Sequence, residues 1–118
     1  MRVSVCIAAC LAMAMWQTAS ADCTYPKAPE SIPDGSTASE GEMVTAMSAF
    51  KQYNTDVTAY LSCLDDETSD KAKEAGGAVS AIMQMKAMQA KKHNAAVAEL
   101  KGLADKFNSQ VRTFKARK

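Results

Sequence analysis

The chain has 118 residues, with 14 basic and 13 acidic side chains, 47% apolar residues and four cysteines. That length allows one domain and excludes the large catalytic barrels, which need about 200 residues or more. A formal net charge of +1 argues against a general nucleic-acid binder, which would carry a large basic excess.

The first 21 residues have the pattern of a secretory signal peptide. Arg2 precedes an apolar run over 3–16, and Ala19-Ser20-Ala21 follows, which predicts cleavage between Ala21 and Asp22. The apolar run is shorter than the roughly 20 residues that span a bilayer, so we expect no transmembrane segment in the mature chain. These features predict a periplasmic or secreted protein. Its mature form keeps 97 residues, 13 of them basic and 13 acidic.

Cleavage would leave two cysteines, Cys23 and Cys63. A cysteine pair outside the reducing cytosol normally forms a disulfide. The two residues lie forty positions apart, unlike the Cys-x-x-Cys spacing of redox-active pairs. We therefore predict a structural bridge, for which the loop-entropy relation gives about 4 kcal/mol of stabilisation.

The segment 22–39 contains all three prolines of the chain and the turn-forming pair Asp34-Gly35. Prolines at this density predict an extended arm with a turn near its end. Ser39 and Glu42 have the spacing of a capping box at the start of a helix, and Thr37 with Glu40 is a second candidate.

A first amphipathic helix is predicted over about 40–64, because apolar residues recur there in alternating steps of four and three. This row consists of Met43, Met47, Phe50, Asn54, Val57, Leu61 and Leu64. Its polar member, Asn54, is predicted to set the register against a partner helix. A second row holds Tyr53, Tyr60 and Cys63. The arm should therefore run back along this helix, over the two tyrosines, to reach the disulfide.

A linker is predicted over about 65–77 and a second helix over about 78–115. The acidic run Asp65-Asp66-Glu67 is unfavourable at a helix C-terminus, and Gly76-Gly77 weakens a helix. A cap at Thr68 or Ser69 would start the second helix earlier, so its continuity through the glycines stays open. The predicted fold is all-α, an antiparallel helical hairpin of two long helices with an extended Pro-rich N-terminal arm tied back by one disulfide.

The near-zero net charge conceals two oppositely charged halves. Residues 22–69 contain two basic and nine acidic side chains, and residues 70–118 contain eleven basic and four acidic ones. The mature chain thus joins a −7 half to a +7 half. One interpretation is that the acidic segment folds against the basic helix, with Glu40 and Glu42 near the level of Lys91, Lys92 or Lys101.

A second interpretation is that cations near the end of the chain bind an anionic surface, such as lipid head groups or envelope polysaccharide. These cations are Arg112, Lys115, Arg117 and Lys118, and Phe114 lies among them.

Metal binding is an alternative function, because Met83, Met85, Met88 and His93 lie close together in the sequence. Thioether and imidazole groups suit Cu(I) or Ag(I). Helical geometry argues against a joint site, since Met83 and His93 each lie about 140° from Met88, on opposite sides. The leading prediction therefore includes no metal site and no cofactor.

Ser48-Ala49-Phe50-Lys51 matches a Ser-x-x-Lys nucleophile pattern, but the partner motifs of that enzyme class are absent. We accordingly predict no catalytic residues and no enzymatic activity.

Several short stretches resemble a group of short uncharacterised exported proteins of Gram-negative bacteria. They are Cys23 with Pro26 and Pro29, Ile32-Pro33-Asp34-Gly35, Glu42-Met43, Tyr60-Leu61-Ser62-Cys63-Leu64, 93–97, Phe107-Asn108 and 112–115. The resemblance implies export and the same architecture. It supplies no activity, and residues 65–90 lie outside it.

Together these patterns favour a non-enzymatic exported protein that acts as an envelope-interaction or scaffold module. Two helices bury little apolar area, so the exposed stripe predicts a homo-oligomer or an envelope protein partner. A Cu(I)/Ag(I)-binding protein and an accessory subunit of an envelope complex are the alternatives.

Overall fold

The protein is a two-helix hairpin. Its structure, a computed structural model, describes residues 22–117, and these contain helix α1 over Glu40–Glu74, helix α2 over Val79–Ala116 and no strand. Residues 22–39 form an arm without regular secondary structure. The predicted all-α hairpin is confirmed. The predicted signal peptide, Ala21 at its cleavage site and Lys118 lie outside the described residues.

Helix α1 begins at the predicted capping box. The Ser39 hydroxyl accepts a hydrogen bond from the Glu42 N–H at 3.2 Å, and the Glu42 carboxylate accepts one from the Ser39 N–H at 2.6 Å. These reciprocal bonds satisfy two backbone donors that the helix itself leaves without partners. They also hold the pKa of the Glu42 carboxyl below its usual value.

The predicted end of the first helix at about 64, and the linker over 65–77, are wrong. Helix α1 continues to Glu74, and only residues 75–78 separate the two helices. Two members of the acidic run have partners within the helical chain: Asp65 accepts a hydrogen bond from Gln89 of α2, and Glu67 pairs with Lys71. Lys71 and Lys73 also supply the positive charge that a helix C-terminus favours.

The glycine pair forms the turn between the helices. Gly76 and Gly77 have φ angles of 60° and 86°, a region that glycine adopts without the steric penalty of other residues. Helix α2 therefore starts after the glycines and does not pass through them.

The helices enclose two groups of buried side chains. At the middle of the hairpin, Ala96 of α2 is fully buried against four residues of α1, namely Tyr53, Val57, Tyr60 and Leu64. Toward the end away from the turn, Ala38 and Met43 pack with Phe107 and Phe114. Phe107 also stacks on Phe50 of α1, with the two ring centroids 5.7 Å apart. A residue as small as Ala96 lets the helix backbones approach closely.

The buried row of α1 is the predicted one in part: Met43, Val57 and Leu64 are buried as predicted, and Tyr53 and Tyr60 of the second row take the place of Met47 and Asn54. Tyr53 and Tyr60 are buried, whereas Asn54 is exposed and Met47 keeps 38% of its surface accessible. The tyrosines bury more apolar area than the residues of the neighbouring row, and this turns the helix toward them. Asn54 therefore does not set the register of α1 against α2.

The arm follows the predicted route and ends at the predicted disulfide. Cys23 is bonded to Cys63 with their Cα atoms 5.7 Å apart, and the Tyr25 ring meets the Tyr60 ring edge to face at 5.2 Å. The Tyr25 hydroxyl donates to Glu99 of α2 at 2.5 Å, and this bond raises the pKa of Tyr25 to about 12. The arm thus touches both helices.

The predicted level of Glu40 and Glu42 beside Lys91, Lys92 or Lys101 is also wrong. The start of α1 lies opposite the last turns of α2, where Arg117 donates to the backbone carbonyls of Ser36 and Ala38. Lys101 pairs instead with Asp105 of its own helix at 2.9 Å. The level shifted because α1 is ten residues longer than predicted, which moves the turn and with it the register of the hairpin.

Candidate functional site

The arm covers one of the two grooves that run between the helices. On α1 its residues lie beside Ala46, Ala49 and Tyr60, and on α2 they bond to Glu99 and Gln110. A shallow groove of about 920 Å³ remains between the arm and the start of α1. It is lined largely by prolines and small side chains. Of its two carboxylates, Glu30 forms an ion pair with Lys27, and Glu42 accepts the hydrogen bond from the Ser39 N–H. No catalytic constellation is present there.

The other groove carries no chain segment among the described residues. We call this side of the hairpin the open face. It is defined by one heptad row on each helix: Met47, Asn54 and Leu61 on α1, and Val97, Ala104 and Val111 on α2. At 100° per residue, both rows lie on the side of the core seam away from the arm. The α1 members of the open face, Met47, Asn54 and Leu61, are three of the seven residues that the sequence predicted to lie between the helices.

The two helices carry opposite charges. Helix α1 holds eight acidic and three basic side chains, for a charge of −5, and α2 holds seven basic and two acidic ones, for +5. Among the described residues, Lys101 is the one α2 cation in an ion pair. Both carboxylates of α2 are also engaged within the chain, Glu99 by Tyr25 and Asp105 by Lys101. Folding therefore leaves most of the positive charge on α2 without a paired carboxylate.

The four cations predicted to bind an anionic surface differ in their surroundings. Arg112 and Lys115 are exposed on α2. Arg117 donates to Ser36 and Ala38 at 2.8 and 2.5 Å, and its guanidinium lies 5.0 Å from the centre of the Phe114 ring. Arg117 thus fastens the arm to α2, and Lys118 lies outside the described residues.

The structure brings together two of the four residues proposed as Cu(I) or Ag(I) ligands. Met85 and Met88 line a cavity of about 70 Å³, together with Lys71 and Lys92. Glu67 also lines the cavity and pairs with Lys71, so the ammonium group of Lys92 leaves a net positive charge that disfavours a bound cation. Met83 and His93 do not line this cavity, and residues 22–117 contain no group of three or more His, Cys, Asp or Glu side chains that could hold a metal.

The polar contacts that position the arm were not found from the sequence. Gln110 accepts a hydrogen bond from the Gly35 N–H at 2.8 Å, and Glu99 accepts one from Tyr25. Both residues look like ordinary surface positions of a helix, and no local motif marks their partners. Between these contacts lies the hydroxyl of Tyr53, which is buried without a hydrogen-bonding partner among the described residues.

Neither helix of the described chain contains a stretch long and apolar enough to cross a bilayer. No protein-family model, curated protein or solved structure matches this chain.

Proposed function

We propose that the protein is a non-enzymatic interaction module of the cell envelope, periplasmic or secreted, that binds anionic surfaces through α2. The observation that carries the proposal is the +5 charge of α2, most of which has no ion-pair partner in the described chain. Basic groups near an anionic surface contribute about 1 kcal/mol each to binding. The disulfide supports a location outside the reducing cytosol.

Arg112 and Lys115 are the residues assigned to the contact. They lie three positions apart near the end of α2, so their side chains project from neighbouring parts of the helix surface. Both are exposed, and neither forms an ion pair with a described residue. Phosphate groups of lipids and of envelope polysaccharide offer the same chemistry to such a pair.

The test is binding of the full chain to vesicles with and without anionic phospholipid, and to anionic envelope polysaccharide, at low and high salt. Arg112→Glu with Lys115→Glu should weaken binding about 30-fold or more, because two favourable contacts are lost and like charges replace them. Binding of the wild type should also weaken as salt rises.

The matched control is Lys91→Glu with Lys92→Glu, which changes the net charge equally on the same helix, away from Arg112 and Lys115 and outside the open face. Equal losses in the two variants would show attraction by net charge alone and contradict the assignment to Arg112 and Lys115. No binding of the wild type to any anionic surface at low salt would refute the proposed function.

A further inference from the structure

We propose that the open face is the interface of a homodimer, in which two hairpins pack face to face and α1 of each chain lies beside α2 of the other. This inference does not depend on the proposed anionic surface, since it rests on the apolar rows of the open face and not on Arg112 or Lys115.

The apolar pattern of the open face is that of a second helix interface. Met47 and Val97 keep 38% and 40% of their surface exposed, and Leu61 and Val111 beside them are only half-buried. Each row repeats every seven residues, the spacing with which helices pack against a further neighbour. Since the arm already covers the opposite groove, a third layer of structure can be added on this side alone.

Asn54 stands in the middle of the α1 row. It is exposed in the hairpin, where it contributes nothing to the register of α1 against α2. A single polar residue within an otherwise apolar helix interface typically sets the register and number of helices, at some loss of stability. In the dimer Asn54 would have that role between chains.

Charge complementarity identifies a second copy as the occupant. Helix α1 carries a charge of −5 and α2 a charge of +5. A second hairpin that lays its α2 on α1 and its α1 on α2 therefore brings opposite charges together at both helices. A two-fold axis parallel to the helices places each acidic α1 beside a basic α2 of the other chain. An axis across the helices would place like charges together and is therefore disfavoured.

One pair of side chains makes this arrangement specific. Asp65 and Lys86 line the same groove at the turn end of the hairpin, so they lie at the same height along the helices. A two-fold axis parallel to the helices preserves height. Asp65 of each chain would then face Lys86 of the other.

The first test is the oligomeric state of the full mature chain by sedimentation. We expect a dimer for the wild type and at least about a hundredfold rise in the dissociation constant for Met47→Glu with Val97→Glu, because carboxylates would be buried in the interface. The control, Ser48→Glu with Met88→Glu, adds the same charge at exposed positions outside the open face and should remain dimeric. Helical circular dichroism checks that each variant folds.

The second test mixes two charge reversals. Lys86→Glu alone and Asp65→Lys alone each place like charges together twice in their own dimer and should be largely monomeric. An equal mixture should recover a dimer, since each interchain pair is again opposite in sign. Repulsion within each hairpin is unchanged by mixing, so recovery reports only the contact between chains.

A wild type that stays monomeric up to about 1 mM would overturn the inference, because even a millimolar interface would be half occupied there. Equal weakening by the control variant, or a mixture that remains monomeric, would overturn the proposed face or its orientation. Vesicle binding by the monomeric Met47→Glu, Val97→Glu variant would show that binding to anionic surfaces does not require the dimer.

Discussion

Replacing Gly35 by alanine should detach the arm from α2. A β-carbon at this position would lie 2.0 Å from the backbone oxygen of Gln110 and 2.9 Å from the backbone nitrogen of Phe114. Ordinary van der Waals contact begins near 3.4 Å, and both obstacles are backbone atoms of a helix that cannot rotate away. The turn of the arm would have to retreat by more than an ångström.

Three hydrogen bonds depend on that close approach. The Gly35 N–H donates to the side chain of Gln110 at 2.8 Å, and Arg117 donates to the carbonyls of Ser36 and Ala38 at 2.8 and 2.5 Å. At about 1 kcal/mol net for each bond, their loss lowers the free energy of unfolding by about 3 kcal/mol. Exposure of Ala38, now 6% accessible, adds a fraction of that.

Urea unfolding of the oxidised protein, followed by circular dichroism, measures this change. Gly102→Ala is the matched control, because its β-carbon would meet no atom within 4 Å and alanine favours a helix by about 1 kcal/mol over glycine. The two substitutions should therefore move the unfolding midpoint in opposite directions. A Gly35→Ala protein whose free energy of unfolding lies within about 0.5 kcal/mol of the wild-type value would show that the arm does not pack against α2 as described.

Two further outcomes can be measured in the same assay. Tyr53→Phe should raise the free energy of unfolding by about 1 kcal/mol, since it removes a buried hydroxyl that has no partner among the described residues. Tyr25→Phe should lower the free energy of unfolding, because the hydrogen bond to Glu99 is lost. A clear loss of stability in Tyr53→Phe would contradict this reasoning. Hydrogen bonds from Ser36 and Ser39 lower the pKa values of Asp34 and Glu42, so both carboxylates stabilise the fold above their unfolded pKa values of about 4 and lose that contribution as the pH falls through the lowered folded values. Glu42→Gln should flatten the decline in stability below about pH 4, and an unchanged acid profile would refute the capping contribution of Glu42.

Features fixed by neighbouring residues were predictable from the sequence. The capping box needs only Ser39 and Glu42, and the arm needs only its prolines. The route of the arm followed from one covalent constraint, because Cys23 can reach Cys63 only by passing back along α1. These signals are local or depend on a single distance, and tertiary packing did not alter them.

The end of α1 and the choice of its buried row depend on contacts between distant residues. Asp65 accepts a hydrogen bond from Gln89 of the other helix, and no local pattern contains that pair. The rows of Tyr53 and Asn54 lie on either side of the buried row that contains Val57 and Leu64. Tyr25 of the arm packs on Tyr60 and adds to the burial of the tyrosine row, a contact between distant residues that no local pattern contains.

The sequence predicts that the candidate site is basic, but it does not predict which of its cations face solvent and which bind the arm. The separation of charge is visible in the sequence, and the exposure of Arg112 and Lys115 agrees with it. The role of Arg117 depends on two carbonyl groups of the arm turn, some eighty residues earlier in the chain. Charge patterning alone cannot separate a cation that fastens the fold from one that faces outward.

The arm is held at its two ends by bonds that arise at different stages of synthesis. The bridge between Cys23 and Cys63 needs only the arm and the first half of the hairpin, so it can close before any of α2 has emerged. The bonds from Arg117 need the final turn of α2. A chain that emerges amino end first would therefore pass through an oxidised intermediate whose arm and α1 already form a covalent loop. Helix α2 would then dock last, and its final turn would lock the arm in place.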